Sequence, residues 1–415
     1  MNRKNNLTKY IAQNKDSLVA LCKKLISIPT VNPPGENYEK MVDLLEAECR
    51  TIGLKTKRVE APKVLLKKLN LNPAFKRINL IADWNIGADK TIHINGHYDV
   101  VPVTGNWKTQ PFEPVIKNGK IYGRGAQDMK GNIAAFLFAV RAMKNTNTMP
   151  CCNIQLSFTP DEESGGAAGF GYLVKKALVK ADYAVGEGHW NEYLTYGNKG
   201  MLWFKIKVYG KSCHASEPYK GINSFEKMLL VANELIKLKE KVQKRATKHK
   251  TKDLMEKYPS MVLGGELFGG SKVNIVPDIS VFTIDRRILP EESLEDVKSE
   301  VLDVIEKLKN RDKNLKVDVE IDAKEPAVIS KEDDFLFKSF SAAVKEVIGK
   351  RAKFIISSGA TDMRYLVKKG VPCIGHWADG DGKCHCDDEY VKIKGLMDSA
   401  KIFALFLTSN NLKVK

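Results

Sequence analysis

Histidine and acidic residues stand where predicted strands give out and predicted helices begin, and no other feature of the chain constrains its fold as tightly. Thr91–Tyr98 is a short apolar-rich run with Gly96 near its end and reads as a strand. His97 and Asp99 sit where it runs out, on one face because strand side chains alternate. Asp128 opens the next predicted helix, after the turn Gly123-Arg124-Gly125. The strand Asn153–Phe158 runs into Thr159-Pro160-Asp161-Glu162-Glu163-Ser164-Gly165-Gly166, and the strand Ala181–Val185 ends at Gly186-Glu187-Gly188. Strands alternating with helices argue for a mainly parallel sheet covered on both faces. In such sheets the strand ends are where ligands bind.

The rest of the chain fits an α/β architecture with an insertion. Leu18, Leu21, Leu25 and Ile28 recur at helical spacing, predicting one helix over 8–28 that Pro29 ends. A loop at 30–36 and a second helix over 37–52 follow, and Val64–Leu71 is ambiguous. Ile78–Ala82 and Thr91–Gly96 read as paired strands, and Asp128–Lys144 as a helix with Ile133, Phe136, Leu137 and Val140 on its apolar side. After residue 197 the pattern changes. Leu202, Phe204, Ile206 and Val208 alternate with more polar neighbours, as do Val317, Val319 and Ile321, which suits half-buried strands. A helix at about 222–245, strands at about 260–267 and 272–287 and a helix at about 293–309 complete β-α-β-β-α-β, a ferredoxin-like unit. The first domain resumes with a helix over about 333–348, a strand-loop Phe354–Thr361, a strand near Val371–Gly375 and a C-terminal helix from about Asp388. The expected division is 1–196 and 323–415 as one domain, with 197–322 inserted.

A chain of 415 residues suits two domains. The net charge of +17 raises nucleic acid as a partner, but the lysines are scattered with no aromatic-interleaved patch, so a solvated surface is expected and no nucleic acid. Eight cysteines without framework spacing favour a reducing compartment, and with no apolar leader or membrane-length run the expectation is cytoplasmic with no membrane partner. Gly123–Gly131 lacks the Gly-Lys-Ser/Thr ending of a phosphate loop. Cys384-His385-Cys386 lacks the second Cys pair of a soft zinc site. No Gly-x-Ser-x-Gly elbow appears.

Several stretches together resemble the M20 metallopeptidase family of di-zinc amidohydrolases, which includes acetylornithine deacetylases, succinyl-diaminopimelate desuccinylases, aminoacylases and glutamate carboxypeptidases. His97-Tyr98-Asp99-Val100-Val101-Pro102 is similar to the family's H-x-D-V-V-P, and Gly123–Gly131 to its G-R-G-x-x-D-M-K-G. The resemblance covers about residues 15–410. It implies a zinc-hydrolase domain carrying an inserted lid and dimerisation domain. It also implies two Zn²⁺ per subunit, with Co²⁺ as a substitute, on His97, Asp128, Glu163, Glu187 and His385. Two imidazoles and three carboxylates suit that task, because they hold the metals without quenching their Lewis acidity.

Adjacent Glu162 and Glu163 can divide their work if one binds metal and the other moves a proton. The resemblance makes Glu163 the ligand and Glu162 the base, with Asp99 orienting His97. Gly210–Ala215 is similar to the family's G-x-x-x-H-A/S, implying that His214 stabilises the oxyanion. Asn274, Arg287, Gly359 and Thr361 fall in segments resembling substrate-binding ones, although Ser358–Asp362 departs from the usual G-G-T-S-D. The implied substrate is an N-acyl amino acid or short peptide, the implied assembly a homodimer through the inserted domain. A dipeptidase, carboxypeptidase or aminoacylase shares the same core, whereas a non-enzymatic binding protein would leave the metal constellation idle. His93, His189 and His376 read as structural and His249 as solvated.

Overall fold

The computed structural model describes residues 3–409. The chain forms two compact units: Met1–Tyr196 with Ser330–Phe354 and Thr361–Lys415, and Gly197–Ile329 with Ile355–Ala360.

Across the sheet of the first unit the strands run Lys55–Glu60, Ile78–Trp84, Asn153–Thr159, Thr91–His97, Tyr183–His189, Cys373–His376 and Tyr193–Asn198. The central four are parallel to their neighbours, and antiparallel pairs flank them. Alternation sends successive side chains to opposite faces. Leu80, Ala82, Ile92, Ile94, Val185 and Ile374 enter the larger core, while Ile81, Ala184 and Cys373 enter a smaller one on the other side. The larger core takes in the helices Lys15–Ile26, Lys130–Asn145 and Ile393–Leu407, and the smaller takes Phe170–Lys175 and Arg364–Val367.

Lys130–Asn145 is apolar nearly all round, and almost every residue from Lys130 to Met143 is buried. It lies against the sheet on one side and against Lys15–Ile26 and Ile393–Leu407 on the other. Phe136 stacks on Phe158 with ring centroids 5.6 Å apart and meets Phe403 edge-on at 5.9 Å. Each such side chain contributes roughly 1.5–3 kcal/mol on burial. This crossover helix returns the chain parallel to Thr91–His97, and Asn153–Thr159 therefore docks directly beside that strand. That displaces one expected pairing: Ile78–Trp84 pairs with Lys55–Glu60 and Asn153–Thr159, not with Thr91–His97.

Two other expectations in this unit are corrected and one ambiguity is resolved. The helix over 8–28 is two helices, Arg3–Gln13 and Lys15–Ile26, meeting at Asn14. The C-terminal helix is Ile393–Leu407, because Tyr390–Lys392 is first claimed as a strand by Lys120–Tyr122. The ambiguous run around 64–71 contains the helix Lys63–Lys68.

The second unit follows β-α-β-β-α-β order: Gly200–Tyr209, Ser224–Val242, Ser260–Gly269, Ile279–Ile288, Leu294–Arg311 and Lys316–Glu325. Its antiparallel sheet places Gly200–Tyr209 between Ile279–Ile288 and Lys316–Glu325, with Ser260–Gly269 at the edge. Leu202, Phe204, Ile206 and Val208 all reach its core. Asn223 and Ser293 cap the two helices by accepting from backbone N–H groups of their first turns. The strand expected from 272 begins at Ile279, because the backbone before it bonds elsewhere: Asn274 accepts from the Ala215 N–H, and the Val276 N–H donates to Cys213. His249 is half-buried and 4.0 Å from Glu291, not solvated.

His93 and His376 are fully buried in the first unit, and burial pulls both down to about 3. Unfolded, each titrates near about 6.5. Below that pH the unfolded chain binds more protons, so stability is lost as pH falls from about 6.5 towards 3, by up to about 1.4 kcal/mol per pH unit per histidine. His376 lies against the rings of Phe340 and Phe403. His376→Leu is expected to flatten the acid limb relative to the parent in urea melts between pH 7 and 4.5. A stability difference independent of pH in that window would contradict it.

Candidate metal centre

The parallel strands of the first unit point their carboxyl ends the same way, and those ends deliver the expected side chains to one place. His97 closes Thr91–His97, Glu162 and Glu163 form a short 3₁₀ turn just beyond Asn153–Thr159, and Glu187 lies in Tyr183–His189. Asp128 arrives on the loop before Lys130–Asn145, and His385 on the loop before Tyr390–Lys392.

Asp128 lies between the two histidines. Its Oδ1 is 2.9 Å from His97 Nε2, and its Oδ2 is 3.1 Å from His385 Nε2. His385 Nε2 is also 3.1 Å from Glu163 Oε1, and His97 Nε2 is 3.7 Å from Glu187 Oε2. Candidate ligand atoms of His97, Asp128 and Glu163 lie within 4.8 Å of one another, as do those of His97, Glu162 and Glu187. His97 Nδ1 donates to the Asp99 carbonyl at 3.1 Å, which aims Nε2 into the site.

The charge balance is that of a cation site. Burial, then Asp362, pushes the Glu162 carboxyl up to about 8. Burial, then Asp128, does the same to Glu163, and burial with Glu162 raises Glu187. For His97 burial acts the other way but is outweighed by Asp128 and Asp99, while hydrogen bonds to Asp128 and Glu163 lift His385 to about 10. Imidazoles held this high and carboxylates crowded this closely form a donor set that two divalent cations would neutralise. His97, Asp128, Glu163, Glu187 and His385 therefore fit a two-metal centre in number, type and separation.

A shell made of Asp99 and residues unread as site residues in the sequence holds this set. Asp99 accepts the Glu162 N–H at Oδ1 and the Glu163 N–H at Oδ2, each at 3.2 Å. Glu389 accepts the N–H groups of Gly125, Gln127 and Asp128 and pairs with buried Arg124 at 2.9 Å. Arg364 lies 3.8 Å from Glu162, and its guanidinium donates to the Gly165 carbonyl. Asp161 carries a buried ion pair with Arg77 at 2.8 Å. Arg124 and Asp161 stood inside the Gly-rich turn and the acidic stretch of the sequence, whereas Arg77 carried no signal beyond being polar.

Thr361 is buried and belongs to the first unit. His214, Asn274, Arg287 and Gly359 belong to the second. There His214 and Asn274 are brought together by a backbone bridge between His214 and Ile275. His214 Nδ1 accepts the Ser216 N–H at 3.2 Å, so Nε2 carries the ring proton of the neutral form. Arg287 pairs with Asp285 through Nε and Nη2, both at 3.0 Å.

The fold and this centre define a mixed α/β protein with a mostly parallel central sheet and a candidate metal site. The sequence pattern of Peptidase family M20/M25/M40 matches residues 93–409, and the chain belongs to that family. An uncharacterized metallohydrolase of Methanocaldococcus jannaschii is 29% identical over 94% of this chain and 98% of its own. Aminoacylase-1A of Rattus norvegicus is 30% identical over 86% of each chain. Succinyl-diaminopimelate desuccinylase of Pelagibacter ubique is 26% identical over 94% of this chain and 97% of its own. Among solved structures, the dipeptidase Dug1p of Saccharomyces cerevisiae shares the fold with a TM-score of 0.78, at 19% identity and over 98% of both chains.

Chelator-stripped protein titrated with Zn²⁺ is expected to take up two equivalents. Asp128→Asn should weaken both by more than about tenfold, whereas Glu187→Gln should weaken chiefly one. Equal loss of both in Glu187→Gln, read by competition with a chromogenic chelator, would break the assignment.

Proposed function

We propose that the chain is a di-zinc amidohydrolase that removes the acyl group from an N-acyl amino acid. The observation carrying this reading is Asp128 set between His97 and His385, with Glu163 and Glu187 beside the pair. Two Zn²⁺ (or Co²⁺) held by His97, Asp128, Glu163, Glu187 and His385 would supply Lewis acidity to the carbonyl and to the attacking water. Glu162 takes the proton of the attacking water and hands it to the amine nitrogen as the C–N bond breaks. A carboxyl whose burial favours the protonated form is suited to both halves of that task. Asp99 fixes the turn bearing the base, and the Asp99 carbonyl holds the His97 ring.

The inserted unit's roles rest on the resemblance. There His214 donates its Nε2–H to the oxyanion, and Asn274, Arg287, Gly359 and Thr361 contact substrate. Arg287 acts as the carboxylate clamp, with Nη1 outside its pair with Asp285. The homodimer reading is supported by the edge strand Ser260–Gly269, on which Val262, Leu267 and Phe268 are exposed. A cytoplasmic location accords with the absence, among the described residues, of any helix long and apolar enough to cross a membrane.

The Gly186-Glu187-Gly188 pattern favours the acetylornithine deacetylase and succinyl-diaminopimelate desuccinylase branch. The 30% identity to an aminoacylase favours a second reading, an aminoacylase. A dipeptidase or carboxypeptidase would use the same centre.

Amine release from N-succinyl-diaminopimelate, N-acetylornithine, other N-acyl amino acids and dipeptides, with a chelator control, separates these readings. Chelator-sensitive turnover of an acyl amino acid is expected, and turnover of dipeptides alone would overturn the deacylase reading. Glu162→Ala should keep both metals and lose about 10²–10⁴-fold in kcat; full activity would remove Glu162 as the base. Mixing inactive His214→Ala and Glu162→Ala proteins should restore partial activity through shared sites in mixed dimers. Failure to recover any, with subunit exchange demonstrated, would confine each site to one chain.

A further inference from the structure

The segment Glu162–Ser164 is only three residues long, none of them buried as a whole, yet it carries two of the most sharply placed groups in the molecule. Asp161, just before it, has a left-handed backbone with φ of 65°. Non-glycine residues adopt that conformation at a cost and hold it only where the surroundings fix it. Beneath the turn lies a buried polar network. Asn32 Nδ2 donates to Asp99 Oδ2 at 2.9 Å and to Asp161 Oδ1 at 3.2 Å, so one amide joins the two carboxylates. Asp99 in turn accepts both the Glu162 and Glu163 N–H groups. Asp161 is held by Arg77 Nε at 2.8 Å and by the Tyr38 hydroxyl at 3.3 Å. Arg77 also donates to the carbonyls of Phe75 and Pro34. Asn32, Arg77, Asp99 and Asp161 are each at most 2% exposed.

Asp99 and Asp161 repel one another. The amide of Asn32 replaces that repulsion with hydrogen bonds to both, and Arg77 balances the outer one. The network thus has a gradient: Arg77 neutralises Asp161, Asn32 couples Asp161 to Asp99, and Asp99 grips the two amides of the catalytic turn.

We propose that Asn32 is a positioning residue for Glu162 and Glu163, setting the angle between the base and its neighbouring ligand by locking Asp99 to the Arg77–Asp161 pair. The role assigned to Glu162 rests on the function proposed above. The part concerning Glu163 rests only on its place in the metal centre.

The test therefore reads metal first and turnover second, on the full-length protein. Asn32→Ala removes the coupling amide and leaves the Arg77–Asp161 pair in place. Its weaker Zn²⁺ equivalent, measured against a chromogenic chelator, is expected to lose about 10–100-fold in affinity, and the visible absorption of the Co²⁺-loaded protein should change. On whichever acyl amino acid the parent cleaves, kcat should fall by about tenfold or more with KM within about twofold. Val344→Ala, a deletion in the larger core, provides a matched loss of stability and should move none of these readings. If Asn32→Ala does not fold, the double variant Arg77→Met with Asp161→Asn removes both buried charges together and should show the same metal and spectral changes. Zn²⁺ affinity within twofold of the parent and an unaltered Co²⁺ spectrum would overturn the proposal. Full turnover by Glu162→Ala would instead overturn the base assignment alone, leaving the metal reading of Asn32 standing.

Discussion

Everything at the centre depends on like charges held where water would otherwise separate them. Glu162, Glu163 and Glu187 are pushed towards protonation by burial, and Asp128 stays ionised only because both histidines hold it. A cluster of this kind is costly as bare protein and becomes favourable when a compact positive charge enters it. The surrounding structure can be read as the means of enforcing that cost. The parallel strands give fixed ends, Lys130–Asn145 wedges the sheet from one face, and buried guanidinium groups of Arg77, Arg124 and Arg364 take up the outer carboxylates. Stability stored in a large apolar core is thereby used to hold a polar arrangement that would not hold itself.

Much of this was legible from residues alone. The candidate ligand set came from the family resemblance, whereas periodicity of two or of 3.6 located the strand end at His97 and the helix after Asp128. The β-α-β-β-α-β order of the second unit was legible for the same reason. What was not legible depended on partners distant in the chain. Ile78–Trp84 could not be kept from pairing with Thr91–His97 by any local rule, since the intruding strand arrives some sixty residues later. Tyr390–Lys392 had the composition to begin a helix, and only Lys120–Tyr122 makes it a strand.

The supporting shell was hidden for a related reason. Asn32 and Arg77 lie in loop sequence that reads as solvated, and neither periodicity nor spacing separates a buried polar residue from an exposed one. The task of Glu389, gathering three N–H groups of the Gly125–Asp128 loop, is a matter of backbone direction that side-chain pattern does not encode.

The strand Cys373–His376 lies inside the sheet, between Tyr183–His189 and Tyr193–Asn198, although it comes almost two hundred residues after them. During synthesis the growing chain therefore carries a sheet with a gap, its neighbouring strands made but unable to close on each other. His385 and Glu389 emerge after that missing strand. A ribosome-bound chain would thus lack part of the candidate ligand set until this segment has been made, with open strand edges exposed to other chains in that interval. Chaperone binding and the timing of metal loading should both respond to how fast the segment from Cys373 to Glu389 is translated.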